Sequence, residues 1–481
     1  MLFNSLDFAI FLPIVFVLYW FVTNRNLQLQ NSLIIAASLL FYGWWDWRFL
    51  SLILFSTLID FNVGKRLKTE ENKVKRKALL WTSIVVNLGL LVFFKYYNFF
   101  VDNFIAAFSL FGQPIQGNTL NIILPVGISF YTFQTLSYTI DVYRKNLEPS
   151  EDIVAFTAFV CFFPQLVAGP IERATNLLPQ FYKKRTFEYE KAVDGMRQIL
   201  WGLFKKVVIA DNCAEYANLI FNNYQDYSGS TLLLGAIFFT FQIYGDFSGY
   251  SDIAIGTSRL FGFNLMQNFA TPYFSRDIAE FWRRWHISLS TWFRDYLYIP
   301  LGGSKGGTWM KVRNTFIIFL VSGFWHGANW TFLVWGCLNA LYFLPLLLLK
   351  RNRKNLGVVA DGRILPSIRE VFQMGSTFLL TVLAWVFFRA ENLSHAVYFL
   401  EGIFTPSVLK MPNFSEFNGI LNTIYLLILM LVLEWQGKSM TYSIAFLKNK
   451  EVMIRRMAYL FFIVMLFLNG KNVDQFIYFQ F

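Results

Sequence analysis

Long apolar runs separated by short polar segments dominate the chain and define its predicted elements. The first three runs cover residues 8–22, 29–45 and 49–63, and their linkers are too short for soluble structure. Each run is near the roughly 20 residues that a helix needs to cross about 30 Å of hydrocarbon. Further runs begin near residues 78, 122, 156, 232, 315, 330, 371, 420 and 459. The pattern predicts an all-α polytopic membrane protein with about ten to twelve membrane helices, forming a single domain over residues 1–481.

Composition and charge agree with this class. The chain is 56% hydrophobic, 20% aromatic and 15% charged, whereas a soluble domain intersperses its apolar residues with more charge. Its net charge of +12 collects in short loops, most densely at 65–77. Under the positive-inside rule this loop is cytoplasmic, and three crossings before it place the N-terminus outside. Because no basic face or reader motif accompanies the charge, nucleic-acid binding is not expected.

The cysteines and the N-terminus add two further expectations. Cys161, Cys213 and Cys337 are scattered and form neither a C-x-x-C pair nor a metal-ligand spacing. We therefore expect reduced packing residues and no metal site. Residues 1–7 lack the basic region of a signal peptide, and no A-x-A cleavage pattern follows them. The first apolar run is thus expected to remain in the protein as a membrane helix.

Two apolar runs are interrupted by helix-breaking residues. Pro125 and Gly127 divide the run at 122–136, which is typical of a re-entrant segment or one that lines a cavity. The run that begins near residue 156 is ended by two prolines and a glycine, and polar Gln165 and Glu172 lie at that point.

Two basic, aromatic segments are predicted to be interfacial helices. Residues 173–206 carry Lys205 and Lys206 beside aromatic side chains, and residues 281–295 are dense in tryptophan and arginine. For residues 173–206 this composition predicts interfacial helices on the cytoplasmic surface. For residues 281–295 it predicts an interfacial helix whose cations extend toward lipid phosphates.

The histidines are the main candidates for proton chemistry, since the chain has three in all. His326 lies in the apolar segment 322–330, where a polar titratable group costs several kcal/mol unless it is hydrated or paired. His286 lies 40 residues earlier beside a tryptophan. A buried neutral imidazole can act as a general base. From the residues alone, a core histidine bonded to a backbone carbonyl is the favoured interpretation of either one, and the catalytic role is the alternative. His395 is in a polar loop, and we assign it no catalytic role.

Other polar features leave alternatives open. The glycine-rich loop 302–307 carries Lys305 and Gly306, which could bind phosphate in an anion nest or form a plain flexible loop. It matches G-x-S-x-G formally, but no preceding strand supports a hydrolase, and H-E-x-x-H and Walker motifs are absent from the sequence. Asp246 and Asp252 could pair with arginine or act directly in chemistry.

Several motifs taken together resemble the membrane-bound O-acyltransferase (MBOAT) family, in its bacterial alginate O-acetyltransferase-like branch. The resemblance covers nearly the whole chain, with the motifs in the family's order. The motifs are Phe163-Pro164-Gln165, Gly169-Pro170-Ile171-Glu172, Tyr244-Gly245-Asp246-Phe247-Ser248-Gly249-Tyr250, Arg283-Arg284-Trp285-His286-Ile287-Ser288, Gly323-Phe324-Trp325-His326-Gly327, Trp385-Val386-Phe387-Phe388-Arg389-Ala390 and Tyr478-Phe479-Gln480-Phe481.

The resemblance implies a ring of helices around a central funnel, with His326 as the essential histidine and His286 as its companion. It implies transfer of an acyl group, expected to be acetyl from acetyl-CoA, to a hydroxyl of an exported or cell-wall polysaccharide such as an alginate-like polymer. His326 would act as general base or transient acyl carrier, and His286 would orient substrate or stabilise charge. A bacterial inner membrane and a periplasmic acetyltransferase partner are expected. Residues expected to line the substrate path are Gln165, Glu172, Asp246, Trp282, Arg283, Trp325 and Asn329, with Lys305 and Gly306 near the donor phosphate.

Two alternatives stay open. Within the family, the chain could transfer D-alanine to teichoic acid. Outside it, the chain could be a transporter or flippase with an intramembrane histidine proton site, although no inverted repeat is visible in the sequence.

Overall fold

The computed structural model describes residues 1–110, 112, 119–167, 169–412 and 419–470, so the terminal motif at 478–481 lies outside the described residues. Within these ranges the regular elements are helices and no strand occurs, which confirms the all-α class. The α-helices are α1 Leu6–Val17, α2 Leu27–Asp46, α3 Leu50–Thr69, α4 Lys73–Leu91, α5 Tyr97–Leu110, α6 Ile128–Tyr143, α7 Ile153–Cys161, α8 Phe163–Leu166, α9 Ala174–Phe181, α10 Tyr189–Leu203, α11 Asp211–Asn222, α12 Gly229–Leu260, α13 Ile278–Arg284, α14 Ile287–Phe293, α15 Thr308–His326, α16 Trp330–Leu348, α17 Ile368–Arg389, α18 Leu393–Ile403, α19 Ile420–Gln436 and α20 Val452–Asn469.

Shorter helical turns join or extend these elements. The π-helical turns are Leu18–Val22, Val92–Tyr96, Phe204–Ala210 and Arg294–Tyr298. The 3-10 turns are Trp47–Phe49, Tyr224–Asp226, Pro272–Phe274, Pro406–Leu409 and Ser443–Asn449.

Helix length and exposure confirm a polytopic membrane protein. In the part of the chain that the structure describes, six helical stretches are long and apolar enough to cross a membrane, and three shorter apolar helices accompany them. One stretch of 43 residues contains both α2 and α3. Near the end of α20, Phe467 and Leu468 are 83% and 75% exposed, which suits contact with lipid and not with water.

The chain divides by its contacts into two compact units. The first consists of residues 1–192 and 257–266, and the second of residues 193–256 and 267–481. In the first unit α3 packs against α4 and α6, while α2 packs against α7. In the second unit α15 and α16 form a hairpin, and α16 also packs against α13 and α17. The single domain over residues 1–481 stays a prediction.

Inside the first unit, the carboxylate of Asp60 on α3 is fully buried without a cationic partner among the described residues. It accepts hydrogen bonds from the Ser83 hydroxyl, from Asn87 Nδ2 at 2.8 Å and from Thr139 Oγ1 at 3.0 Å. These donors belong to α4 and α6. A polar network therefore joins three apolar helices, and it replaces the water that a buried carboxylate loses.

Inside the second unit, two lysines of the π-helical turn 204–210 are buried and paired with carboxylates. Lys206 Nζ lies 2.7 Å from Asp211 and 2.9 Å from Asp246, and Lys205 Nζ lies 2.6 Å from Asp252. Lys205 and Lys206 are 2% and 1% exposed. The prediction that Lys205 and Lys206 lie in an interfacial segment is therefore wrong, because both side chains are buried within the protein. Both aspartates of α12 pair with lysine.

Glycines allow α10 and α12 to approach closely at this network. A Cβ at Gly202 would lie 2.6 Å from the Gly249 carbonyl oxygen, and a Cβ at Gly249 would lie 2.7 Å from the Gly202 carbonyl oxygen. Any larger side chain would force the two backbones apart. Small residues at such positions are the usual way for membrane helices to pack tightly.

Two other predicted features differ in detail from the structure. Pro125 and Gly127 precede α6 and do not interrupt it, and Gly127 adopts a left-handed conformation with φ 75°. The arginines near 281–295 are bonded to protein: Arg284 Nη2 lies 3.0 Å from Glu280, and Arg283 donates to the carbonyl oxygens of Asn352 and Asn355. They are not free to extend toward lipid phosphates.

Replacing Lys206 by methionine tests the buried network. Lys206→Met leaves two buried carboxylates without their shared cation, so we expect a loss of about 3–5 kcal/mol in the free energy of unfolding. The measurement is the thermal transition in detergent, followed by size-exclusion chromatography of the heated protein.

Lys68→Met is the matched control. Its partner Glu151 and Lys68 itself are exposed, and exposed pairs contribute little to stability. The midpoint of its transition should therefore stay unchanged. Equal shifts in the two variants would show that the buried pairs do not hold the second unit together.

Candidate active site

His326 is the last residue of α15, where the chain turns into α16. The two helices of this hairpin nearly touch, because a Cβ at Gly323 would lie 2.2 Å from the Phe332 carbonyl oxygen. A Cβ at Gly336 would lie 2.3 Å from the Phe319 carbonyl oxygen. These two glycines fix the spacing of the hairpin, and thereby the position of the imidazole at its end.

The imidazole of His326 is 5% exposed and lies among aromatic rings. Ring centroids of Trp325, Trp335 and Phe388 lie 4.9, 5.3 and 5.2 Å away, and all three rings meet it edge to face. Trp335 comes from α16 and Phe388 from α17. Tightly packed rings give the imidazole one defined orientation and a low-polarity environment.

His286 lies between α13 and α14 in an unusual backbone conformation. Its φ of 44° and ψ of 55° belong to the left-handed region, which a non-glycine residue adopts at a cost of about 1–3 kcal/mol. The neighbouring backbone holds it there, because Ile287 N donates to the Asn268 carbonyl at 2.9 Å and Ala270 N donates to the Arg284 carbonyl at 3.0 Å. Such strain is often found at functional sites.

The contacts of Asn268 decide the tautomer of His286. The backbone N–H of Ser288 donates to Asn268 Oδ1 at 3.2 Å, so this atom is the amide oxygen, while Asn268 Nδ2 donates to Ser251 Oγ at 3.0 Å. His286 Nδ1 lies 3.1 Å from that same oxygen and must therefore carry a proton. The other ring nitrogen, Nε2, then has a free lone pair when the imidazole is neutral.

Burial keeps the imidazole of His286 neutral. The side chain is 1% exposed, and burial lowers its pKa from 6.5 to about 3. Nε2 has no hydrogen-bond partner among the described residues. Near neutral pH, His286 thus offers a hydrogen-bond acceptor in an apolar environment, which suits a hydroxyl group.

The two histidines both lie near one tryptophan ring. The Trp325 centroid lies 6.2 Å from that of His286 and 4.9 Å from that of His326. From α12, Phe247 packs edge to face on His286 with centroids 4.6 Å apart. The structure therefore brings together His286, His326 and Trp325, three of the residues predicted to form the site.

The remaining predicted residues of the second unit stand in different relations to this cluster. Trp282 contacts Trp335 at 5.6 Å and so joins its edge. Asn329 caps α16, accepting from Thr331 N at 3.1 Å and donating to the Glu391 carbonyl. Asp246 is held by Lys206.

Arg283, Lys305 and Gly306 do not join the cluster. Arg283 is exposed and bound to loop carbonyls. The loop of Lys305 and Gly306 precedes α15, whose 19 residues separate it from His326 by about 27 Å.

Gln165 and Glu172 belong to the first unit, where both are buried. Gln165 Nε2 donates to the Phe159 carbonyl at 3.3 Å. The carboxylate of Glu172 accepts from Asn176 Nδ2 at 2.7 Å and from Met266 N at 2.5 Å, and burial raises its pKa from 4.5 to about 7. These contacts are structural, and a role in substrate binding stays a prediction.

Sequence reasoning missed four residues of the cluster. Asn268 lies in an irregular segment that gave no signal, and Ser288 was part of a quoted motif without a role. Phe388 was likewise part of a quoted motif without a role, and Trp335 lay in a predicted apolar run. An alternative reading of the histidines, as core residues bonded to a backbone carbonyl, does not describe His286, whose ring bonds to an amide side chain.

A family model described as membrane-bound O-acyltransferase, MBOAT, matches residues 149–387. The "probable alginate O-acetylase AlgI" of Pseudomonas aeruginosa is 42% identical over 87% of this chain and 78% of its own length. The chain belongs to the membrane-bound O-acyltransferase family. It is therefore an O-acyltransferase, and the predicted family and enzyme class are confirmed.

Two other relatives of this O-acyltransferase differ in their named acceptor. The peptidoglycan O-acetyltransferase of Helicobacter pylori is 36% identical over 84% of this chain and 80% of its own length. The teichoic acid D-alanyltransferase of Bacillus subtilis is 29% identical over 46% of this chain and 58% of its own length. Similarity to the two O-acetylating proteins is higher and covers more of the chain.

Substitution of Asn268 tests its control of the His286 ring. Asn268→Ala removes the partner of Nδ1, so the neutral ring is free to change tautomer and orientation. At metal-binding histidines, loss of the side chain that orients the ring typically lowers activity 10- to 100-fold, and we take this as the scale for His286. We expect kcat for acyl transfer to fall by about that factor, with KM within about twofold of the original protein, measured in proteoliposomes.

Asn268→Asp distinguishes this positioning role from a structural one. Its carboxylate still accepts from Nδ1 but stabilises the imidazolium, which raises the pKa of His286. The acidic limb of the pH–rate profile should therefore move to higher pH. An unmoved profile with wild-type kcat in both variants would exclude Asn268 as a positioning residue.

Proposed function

We propose that this O-acyltransferase moves an acetyl group from a cytoplasmic donor to, or across the membrane toward, hydroxyls of an exported or cell-wall polysaccharide. The observation that carries the proposal is a pair of buried imidazoles that both pack near the Trp325 ring, with a free lone pair on Nε2 of His286. The acetyl group and the polysaccharide are supported by the relatives named alginate O-acetylase and peptidoglycan O-acetyltransferase.

In the proposed reaction, His326 acts as general base. The imidazole takes the proton of the acceptor hydroxyl, and the oxygen attacks the acetyl carbonyl carbon. The bond from that carbon to the sulfur of a thioester donor breaks, and the leaving sulfur receives the proton from the imidazolium. Such assistance typically contributes 10²–10⁴-fold in rate. A transient acetyl-histidine at His326, followed by attack of the hydroxyl, is the second route.

The tautomer of His286 favours one of its two candidate roles. With Nδ1–H committed to Asn268, the neutral ring presents an acceptor at Nε2. An acceptor can orient the hydroxyl of the incoming sugar, whereas it cannot donate to a developing oxyanion. We therefore assign His286 to orientation of the acceptor.

The topology and donor complete the proposal. The basic loop 65–77 faces the cytoplasm of a bacterial inner membrane, the N-terminus lies outside, and acetyl-CoA is the donor. Lys305 and Gly306 remain candidates for binding the phosphate groups of the donor. Because they lie about 27 Å from His326, the bound donor would have to extend along α15. A periplasmic acetyltransferase partner would complete transfer to the polymer.

Substitution of the central histidine tests the function. His326→Ala removes the proposed base, so ester-linked acetate on the envelope or exported polysaccharide should fall by about 10²-fold or more. The measurement is acetate released by mild alkali from polymer of cells carrying each variant. His395→Gln is the matched control: His395 stacks on Tyr224, with centroids 4.5 Å apart, and its variant should keep the acetylation.

Three outcomes would contradict this assignment. Retained acetylation in a correctly inserted His326→Ala protein would exclude His326. Ester-linked alanine in place of acetate would favour D-alanyl transfer to teichoic acid. Proton-coupled flux through liposomes without any acyl donor would favour a transporter.

A further inference from the structure

The first unit contains a pocket of about 270 Å³ with a strongly basic lining. It lies between the end of the first helical segment, the segment after α9 and the turn after α12. Five cationic side chains line it against one carboxylate: Lys183, Lys184, Arg185, Lys191 and Arg259, against Glu188. Glu188 pairs with Lys191 at 2.7 Å, so the lining carries more cationic than anionic side chains.

Arg185 is a buried guanidinium with no anionic partner among the described residues. It is 7% exposed, and its Nη2 donates to Asn31 Oδ1 at 2.7 Å. The guanidinium carbon Cζ of Arg185 lies 4.9 Å from the Phe263 ring centroid, and Nε has no hydrogen-bond partner within the described ranges. Burying a cation without a counter-ion costs several kcal/mol. An anion in the pocket would offset that cost.

Contacts place the pocket at the same end of the helices as the densest basic loop. Tyr182, beside the pocket, donates to Ser150 Oγ at 2.7 Å. The next residue, Glu151, pairs with Lys68 of the loop 65–77. By the positive-inside rule this end is cytoplasmic.

Aromatic rings complete the pocket beside the cations. Trp20 and Phe187 both line it and meet edge to face with centroids 5.5 Å apart. The Trp20 indole is fixed by a hydrogen bond from Nε1 to the Leu260 carbonyl at 2.9 Å. Guanidinium and ammonium groups match phosphate oxygens, while the rings suit a flat or apolar group attached to the phosphate.

We propose that this pocket is a binding site for a phosphate monoester or diester group that reaches it from the cytoplasmic side. The phosphate lies against Arg185, Lys183 and Lys184, and the attached group lies against Trp20 and Phe187. Two sources share this chemistry: a soluble organic phosphate and the head group of an anionic phospholipid. The site does not depend on acetyl transfer.

Binding measurements on the full chain test the site and separate the two sources. In phosphatidylcholine nanodiscs, adenosine 3′,5′-bisphosphate and inorganic phosphate are titrated by calorimetry. In nanodiscs that also contain phosphatidylglycerol, native mass spectrometry scores the retained anionic lipid. The variant Lys183→Gln/Lys184→Gln removes two exposed cations, and the control Lys73→Gln/Lys77→Gln removes two exposed lysines of the first turns of α4.

We expect the pocket variant to bind its ligand about 10- to 30-fold more weakly, and the control within about twofold of the original protein. Arg185→Lys keeps the charge but loses the planar donor pair, so it should also weaken binding while preserving the fold. Binding of the bisphosphate or inorganic phosphate identifies a soluble source, and selective retention of phosphatidylglycerol identifies a lipid.

The proposal is overturned if none of these probes binds, or if the pocket and control variants lose affinity equally. Because these measurements involve no acyl transfer, they are independent of His326. Normal phosphate binding with no acetylation would reject the proposed function alone, and normal acetylation without phosphate binding would reject the pocket alone.

Discussion

The second unit depends on a small set of charges buried in an apolar protein. Lys205 and Lys206 pair with aspartates of α12 and α11, and glycines let α10 approach α12 closely enough for these pairs to form. Leaving a buried charge without its partner typically costs about 3–5 kcal/mol, so these pairs favour one rotation of α12 about its axis. Every contact that α12 makes with the histidine cluster follows from that rotation.

The sequence of α12 shows how one helix contacts both the buried ion pairs and the histidine cluster. Tyr244, Phe247 and Ser251 recur at i, i+3 and i+7, so they share a face. Their partners are Trp285, His286 and Asn268 respectively. Asp252 and Gly249 lie on another face, toward Lys205 and α10. The motif at 244–252 therefore couples a structural ion network to the orientation of the His286 ring.

The chemistry of the cluster follows from a chain of hydrogen bonds that begins in the backbone. The Ser288 N–H donates to a side-chain atom of Asn268, which must therefore be the amide oxygen. Nδ1–H of His286 donates to that same oxygen, so Nε2 of His286 is left as a hydrogen-bond acceptor. Aromatic packing excludes water and keeps the ring neutral. Buried polar groups in such a setting are useful for function because each has one defined partner.

The sequence by itself determined the all-α membrane class, the family and the two histidines, because apolar runs and contiguous motifs are local properties of the chain. Only the tertiary structure decided the partners. Lysines 205 and 206 looked interfacial from their neighbours, yet distant aspartates allow them to be buried. Asn268 gave no signal because its role depends on a residue 18 positions away in sequence. Hydrogen-bond partners and burial are non-local properties, so residue patterns could name the histidines but not the atoms that control them.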